Sequence, residues 1–295
     1  MSEPSRIIIG DVIDGLRSLD SGSVHCCVTS PPYWGLRDYG VDGQIGLEKT
    51  PDEFVAKMVA VFREVRRCLR DDGTLWLNLG DSYATGTTAS RMQSTNAGVG
   101  NNTPEAQNSV PRCGTPDGLK TKDLCMIPWR VALALQADGW WLRSVIVWAK
   151  KSPMPESVTD RPTSSWEPIF LMAKSERYFY DVEAVKEPSI HAGHIATSRN
   201  PNAGYDPNEV RGGPGFTGQV PPMRNQRNVW HLSPESYSEA HFATFPTEIP
   251  RRAIKAGTSE RGCCAACGGP WVRVVERSPN RMGLKNGEHR EVRRD

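Results

Sequence analysis

The sequence lacks any apolar run long enough to cross a bilayer. Its longest runs, such as residues 7–9 and 131–135, fall far short of the about 20 residues that a membrane helix needs. The N-terminus lacks the basic region and the long apolar region of a secretory signal. Eight cysteines without such a signal predict reduced thiols in a cytoplasmic protein that has no membrane partner.

The chain also lacks a large excess of either charge. Lys and Arg total 36 against 34 Asp and Glu, which leaves a formal net charge of +2 and excludes a histone-like polycation. Contact with nucleic acid would have to come from local groups of basic residues. The sequence contains two such groups: Arg143, Lys150, Lys151, Arg161, Lys174 and Arg177, and then Arg211, Arg224, Arg227, Arg251, Arg252 and Lys255.

Strand and helix patterns alternate along residues 1–188, which predicts an α/β fold with a mostly parallel sheet covered on both faces. The predicted strands are residues 6–9, 24–28, 74–79, 141–149 and 168–173. The predicted helices are residues 11–19, 50–69 and 128–137. The helix from Thr50 is the best defined, because Thr50, Pro51 and Glu53 form a capping-box pattern and apolar residues recur at helical spacing.

Composition divides the rest of the chain into segments. Within residues 1–188, residues 83–120 are rich in Gly, Ser, Thr and Asn and are predicted to form a long mobile loop. Residues 189–240 are predicted to be a polar loop region. Residues 241–275 hold a short motif and a Cys-rich turn, and residues 276–295 are a charged tail.

The segment Thr29-Ser30-Pro31-Pro32-Tyr33-Trp34 follows a predicted strand, and open α/β sheets bind ligands at the carboxyl ends of their strands. Two consecutive prolines restrict the backbone and have no N–H group to donate. The neighbouring backbone carbonyl oxygens therefore remain available as acceptors beside the serine hydroxyl. Such acceptors suit the exocyclic amino group of a nucleobase, and the aromatic rings suit stacking on a flipped base. The alternative interpretation is a proline-rich turn.

Four blocks in a fixed order resemble the amino-methylating DNA methyltransferases, in the permuted order that has the catalytic motif near the N-terminus. The blocks are residues 8–39, 75–84, 146–181 and 241–246. The resemblance implies a Rossmann-like sheet that binds S-adenosylmethionine and a site-specific enzyme that methylates double-stranded DNA. It implies that residues 1–188 are the catalytic region and that residues 189–240 recognise the DNA target. It also implies a place in DNA modification, whether as a restriction partner, in phage protection or in regulation.

The resemblance assigns roles to individual residues. The catalytic motif is matched by Ser30, Pro31, Pro32 and Tyr33. Positions near the cofactor are matched by Asp11, Thr244, Phe245 and Pro246. Positions near the target base are matched by Trp34, Asp81, Arg161 and Glu167. Asp11 has a structural alternative as the N-cap of a helix, and Asp81 has one as a turn residue at a strand end.

The serine at the first motif position favours N4 of cytosine as the target atom, with N6 of adenine as the alternative. Methylation at C5 of cytosine is disfavoured, because it needs a thiolate in a Pro-Cys context and no cysteine of this chain follows a proline.

One motif of the resembled family is missing. The glycine-rich cofactor motif Asp-Pro-Phe-x-Gly-x-Gly should follow residues 241–246, and it does not occur in the 295 residues. The expectation is a truncated or split methyltransferase that a second chain completes, or a non-catalytic DNA-binding remnant. In either case the chain alone should bind S-adenosylmethionine weakly or not at all.

The Cys-rich turn contains Cys264-x-x-Cys267, which has the spacing of half a zinc knuckle. A closed tetrahedral site needs four ligands, and no second Cys-x-x-Cys follows. Bound zinc is therefore the less favoured expectation, and reduced free thiols are the simpler one.

Overall fold

A computed structural model describes residues 5–84, 115–196, 218–235 and 245–274. The helices are α1 (Val12–Arg17), α2 (Pro51–Cys68), α3 (Ile127–Ala137) and α4 (Glu248–Gly257). The strands are β1 (Val24–Thr29), β2 (Leu69–Asn78), β3 (Trp141–Lys150), β4 (Trp166–Ala173), β5 (Glu187–Pro188), β6 (Ile195–Ala196), β7 (Gly218–Gln219), β8 (Met223–Arg224) and β9 (Val229–Leu232). None of these helices has the length and apolar character that a membrane span requires.

Helix α2 forms where the sequence predicts it. The Thr50 hydroxyl accepts from the backbone N–H of Glu53, and the Glu53 carboxylate accepts from the backbone N–H of Thr50, which completes the capping box. The predicted apolar stripe is buried, since Phe54, Met58 and Phe62 are at most 1% exposed. This stripe anchors α2 on one face of the central sheet.

The central sheet has five strands in the order β1-β2-β4-β3-β9. The pairs β1/β2 and β3/β9 are parallel, whereas β4 runs antiparallel to both of its neighbours. The expectation of a mostly parallel sheet is therefore wrong for β4. The reason is that no helix lies between β3 and β4, so the chain returns directly in the opposite direction. The mixed sheet agrees with the fold that the resemblance implies.

Both faces of the sheet are covered. Along β2, Leu75 and Leu77 pack with α2 and α3 on one face, and Trp76 packs with Trp230 and Ile249 of α4 on the other. Successive residues of a strand point to opposite faces, so burial on both sides requires a nearly continuous apolar run. Residues 74–79 have that composition.

Two predicted elements differ from the observed ones. Residues 6–9 do not form a strand, and Ile7 and Ile9 are 86% and 94% exposed. An apolar triplet cannot form a strand without a backbone partner, and β1 pairs only with β2 among the described strands. Strand β2 begins at Leu69 rather than at Thr74, because α2 leads into it without a loop.

The described parts of the predicted polar loop region 189–240 contain strands. Strand β5 pairs with β8 and β6 pairs with β7, in two small ladders. Strand β9 pairs with β3, so residues 229–232 belong to the main sheet, which the sequence did not predict. Most of the predicted loop 83–120 and the whole tail 276–295 lie outside the described residues. The proposed domain boundaries therefore stay predictions.

Candidate active site

The segment Ser30–Tyr33 lies at the edge of the sheet where four strands meet. Strands β1 and β2 are parallel and both finish here, the second of them at Asn78. Strand β4 runs the opposite way, so Glu167 near its start lies at the same edge, opposite the end of β3. Lys150 ends β3 and completes the group. Four segments that are distant in sequence thus bring polar side chains to one place.

These side chains form a continuous hydrogen-bond network. The Tyr33 hydroxyl oxygen lies 2.9 Å from Glu167 Oε2, 3.0 Å from Asn78 Oδ1 and 3.2 Å from Ser30 Oγ. Glu167 Oε2 also accepts from Asn78 Nδ2 at 3.2 Å, and Glu167 Oε1 lies 2.6 Å from Lys150 Nζ. Burial first, and then the nearby Glu167 carboxylate, raise the pKa of Tyr33 well above its usual value, so its hydroxyl stays protonated.

Two glycines allow the backbone to approach Tyr33. A Cβ atom on Gly80 would lie 2.4 Å and 2.6 Å from two carbons of the Tyr33 ring. A Cβ atom on Gly46 would lie 2.9 Å from the Tyr33 carbonyl oxygen, and Gly46 has a φ of +107° that other residues rarely adopt. The sequence therefore needs glycine at both positions to hold the Tyr33 ring and its loop.

Trp34 does not have the place expected of a residue that contacts the target base. Its side chain is fully buried, its indole N–H donates to the Glu48 carbonyl at 2.9 Å, and its own carbonyl accepts from the Ser82 hydroxyl at 2.8 Å. A ring with no exposed face cannot stack on a base. The structure therefore gives Trp34 the role of fixing the loop after the Ser-Pro-Pro-Tyr segment in the core.

Asp81 follows β2 at the same edge of the sheet. Its Oδ1 atom accepts from the backbone N–H groups of Ser82 at 2.8 Å and of Ile127 at 3.0 Å, so it satisfies a free donor at the start of α3. Burial raises the pKa of Asp81, and these hydrogen bonds oppose that shift. These contacts agree with the structural alternative, and its predicted contact with the base stays a prediction.

The residues assigned to the cofactor are only partly described. Asp11 caps α1 by accepting from the N–H groups of Ile13 and Asp14, which is its structural alternative. No hydrogen bond within the described ranges joins Asp11 to Ser30 or Tyr33. Thr244 lies outside the described residues. Phe245 packs against the core on the α4 side of the sheet, and the carbonyl of the buried Pro246 accepts from Ile249 N–H at the start of α4.

Arg161 belongs to the connection between β3 and β4. Its guanidinium lies 4.1 Å above the Tyr83 ring and 2.6 Å from Glu156 Oε2. Neither contact joins it to the network around Tyr33. Its predicted role near the base stays a prediction, whereas Glu167, predicted from the same block, lies inside the network.

The two cysteines of the predicted half knuckle follow α4. Backbone N–H groups of Cys267 and Ala266 donate to the Cys264 sulfur and lower the pKa of its thiol. Within the described parts of the chain, no group of three or more His, Cys, Asp or Glu side chains could hold a metal ion. Cys264 and Cys267 therefore stay predictions as metal ligands.

Four residues of the site were not predicted from the sequence. Asn78 ends a strand that was interpreted only as core, and neither Gly46 nor Gly80 was assigned a role. Lys150 was placed in a basic group that contacts phosphate, yet its ammonium group is paired with Glu167. The polar residue in the apolar stretch Leu75–Leu79 was the available signal for Asn78, because a buried amide needs partners.

Comparison with known proteins places these observations in a family. The N6_N4_Mtase family model, described as a DNA methylase, matches residues 24–265. The Type II methyltransferase M.Cfr9I of Citrobacter freundii is 47% identical over 253 residues, which are 84% of this chain and 71% of that protein. The Type II methyltransferase M.SmaI of Serratia marcescens is 43% identical over 257 residues, covering 87% and 76% of the two chains.

Among solved structures, the PvuII DNA methyltransferase, described as cytosine-N4-specific, superposes with a TM-score of 0.51. It is 15% identical to this chain, and the match covers 85% of this chain and 69% of that one. At this level of identity the likeness shows the fold, which confirms the predicted α/β methyltransferase sheet.

Proposed function

The chain belongs to the N6/N4 family of DNA methylases, and from that premise we propose that it methylates the N4 atom of cytosine in DNA with S-adenosylmethionine as the methyl donor. Membership makes it a site-specific DNA methyltransferase that acts on an exocyclic amino group. The choice of cytosine rests on the serine in Thr29-Ser30-Pro31-Pro32-Tyr33-Trp34. N6 of adenine is the alternative within the family.

The observation that carries the proposal is the meeting of Ser30 and Tyr33 with Glu167 at the carboxyl edge of β1 and β2. An exocyclic amine is a poor nucleophile, because its lone pair is delocalised into the ring. Acceptors that bind its hydrogens would draw the lone pair onto nitrogen, and the rigid Pro31-Pro32 pair would hold them in place. When bound, S-adenosylmethionine supplies a methyl group on a positively charged sulfur.

The residues that we assign to the cofactor are Asp11, Thr244, Phe245 and Pro246. Both hydrogen bonds that cap α1 use one oxygen of Asp11, and no residue in the described part of the chain donates to the other, which we propose accepts from the ligand. The glycine motif of the family does not occur in the 295 residues. We therefore propose that a glycine turn from a further segment or a second chain completes the cofactor site. The cytoplasm and double-stranded DNA are the proposed setting and partner.

The test has two stages. In the first, calorimetry measures the binding of S-adenosylmethionine to the 295-residue chain, with and without a fragment that carries Asp-Pro-Phe-x-Gly-x-Gly. We expect weak binding alone and a gain with the fragment. Low-micromolar binding by the chain alone would contradict the need for a further segment.

In the second stage, duplex DNA is incubated with the chain, the fragment and S-adenosylmethionine. The DNA is then digested to nucleosides, which are separated by chromatography and identified by mass spectrometry. N4-methylcytosine is the expected product. N6-methyladenine would overturn the choice of base, and no methylated base from a cofactor-bound, folded sample would overturn the activity. Tyr33→Phe, which keeps the ring, is the matched variant that should lower the yield.

A further inference from the structure

Lys150 and Glu167 form an ion pair that is nearly buried. Their side chains are 16% and 12% exposed, and the nitrogen and oxygen atoms lie 2.6 Å apart. The Lys150 ammonium group also lies 5.0 Å above the Trp148 ring. Removing two charges from water is unfavourable, and close pairing offsets this desolvation cost only in part. Such a pair beside the candidate catalytic segment suggests a role in the site.

The partners of Tyr33 on the inner side can only accept hydrogen bonds from it. Glu167 is a carboxylate, and its Oε2 atom lies within reach of both Tyr33 and Asn78. The Asn78 amide nitrogen donates to Glu167 and, at 3.1 Å, to the Pro168 carbonyl, so its oxygen is the atom that faces Tyr33. The single proton of the Tyr33 hydroxyl therefore points inward, towards Glu167 and Asn78.

This inward direction determines what Ser30 can do. The Tyr33 oxygen has lone pairs left to accept, and the Ser30 hydroxyl lies 3.2 Å away as the donor. A serine hydroxyl has one proton and two lone pairs. Once its proton is directed at Tyr33, the Ser30 oxygen can only accept from a ligand. An exocyclic amino group offers hydrogens, so it meets the acceptor that it needs.

We propose that the Lys150–Glu167 pair orients the Tyr33 and Ser30 hydroxyls, so that Ser30 presents an acceptor to the exocyclic amino group of the target base. Lys150 and Glu167 are then positioning residues that act through Tyr33 and Ser30 without touching the base. The Lys150 ammonium group can only donate, and at 2.6 Å from Glu167 Oε1 it holds the Glu167 carboxylate as an acceptor for the Tyr33 hydroxyl. That the donor to Ser30 is the exocyclic amino group of a base rests on the proposed function.

The first experiment tests the orientation without any catalysis. The 295-residue chain is labelled with ¹³Cζ-tyrosine, and Tyr33→Phe assigns the Tyr33 signal in the NMR spectrum. Glu167→Gln and Lys150→Met are expected to shift that signal, because both weaken donation by the Tyr33 hydroxyl. Lys151→Met, at the exposed neighbouring residue, is the matched control and should leave it unchanged. An unshifted Tyr33 signal in folded Glu167→Gln would overturn the proposal.

The second experiment uses a double-mutant cycle on the completed methyltransferase. Glu167→Gln should lower kcat about 10- to 100-fold, as expected for one misdirected hydrogen bond, with the KM for S-adenosylmethionine unchanged. In a Ser30→Ala background, Glu167→Gln should lower kcat less than about threefold, because Glu167 acts through Ser30. If the kcat of the double variant instead falls by the product of the two single losses, the proposal is overturned.

Two further measurements separate the outcomes. Lys150→Arg keeps the charge and should retain more activity than Lys150→Met, and thermal unfolding shows that each variant is folded. If the wild-type complex methylates no DNA, the proposed function fails, whereas the NMR result still decides whether the ion pair orients Tyr33.

Discussion

Replacing Gly80 with alanine tests how closely the backbone just after β2 approaches the Tyr33 ring. The added methyl group would lie 2.4 Å from one ring carbon, and ordinary contacts begin at 3.4 Å, so the ring must move by about 1 Å. The Tyr33 hydroxyl makes hydrogen bonds of 3.0 Å to Asn78 Oδ1 and 2.9 Å to Glu167 Oε2. A shift of that size breaks or distorts both hydrogen bonds, and it displaces the Tyr33 hydroxyl to which Ser30 donates.

The expected losses follow from that displacement. Overpacking should lower the free energy of unfolding by about 1–3 kcal/mol, and a 1 Å displacement in a site lowers turnover about 100-fold. Urea unfolding measures the first, and methyl transfer to DNA by the completed enzyme measures the second. In a Tyr33→Ala background the stability loss of Gly80→Ala should largely vanish, since the clashing ring is gone.

Gly15→Ala is the matched control for Gly80→Ala. Gly15 lies in α1, and a Cβ atom there would make an ordinary contact of 3.5 Å with Ile8. Alanine is the better helix former, so stability should stay equal or rise by up to about 1 kcal/mol. Full activity and unchanged stability of Gly80→Ala would refute the close approach on which the position of Tyr33 depends.

Three further predictions concern single residues. Ser30→Ala should lower turnover about 10- to 100-fold and leave the calorimetric affinity for S-adenosylmethionine unchanged; unchanged turnover would make Ser30 only a turn residue. Thr50→Ala removes the cap of α2 and should lower the free energy of unfolding in urea by about 1 kcal/mol, and no loss would contradict the capping box. Burial raises the pKa of Asp81, so the folded state binds the Asp81 proton more tightly than the unfolded state does. Wild-type stability therefore falls as the pH rises from the unfolded pKa to the folded pKa of this carboxyl group. Asp81→Asn should therefore gain stability relative to wild type between acid and neutral pH, and a difference independent of pH would contradict the shift.

The sequence determined the local structure of this protein. The capping box at Thr50 and the apolar stripe of α2 follow from interactions within one or two helical turns, so they could be predicted residue by residue. The Ser30–Tyr33 segment was found for a similar reason, because two prolines after a strand restrict the backbone whatever surrounds them. Four blocks in family order then indicated the type of fold and the chemistry.

Only the tertiary structure decided the contacts between distant segments. The pairing of Lys150 with Glu167 depends on the antiparallel register of β3 and β4, and the contact of Glu167 with Tyr33 depends on β4 lying beside β2. Trp34 was expected beside the base and is buried in the core, since an aromatic residue after a strand fits either place until its neighbours are known. The three isoleucines of residues 7–9 were expected in a strand and lie outside one. An apolar run becomes a strand only where another strand offers its backbone hydrogen bonds.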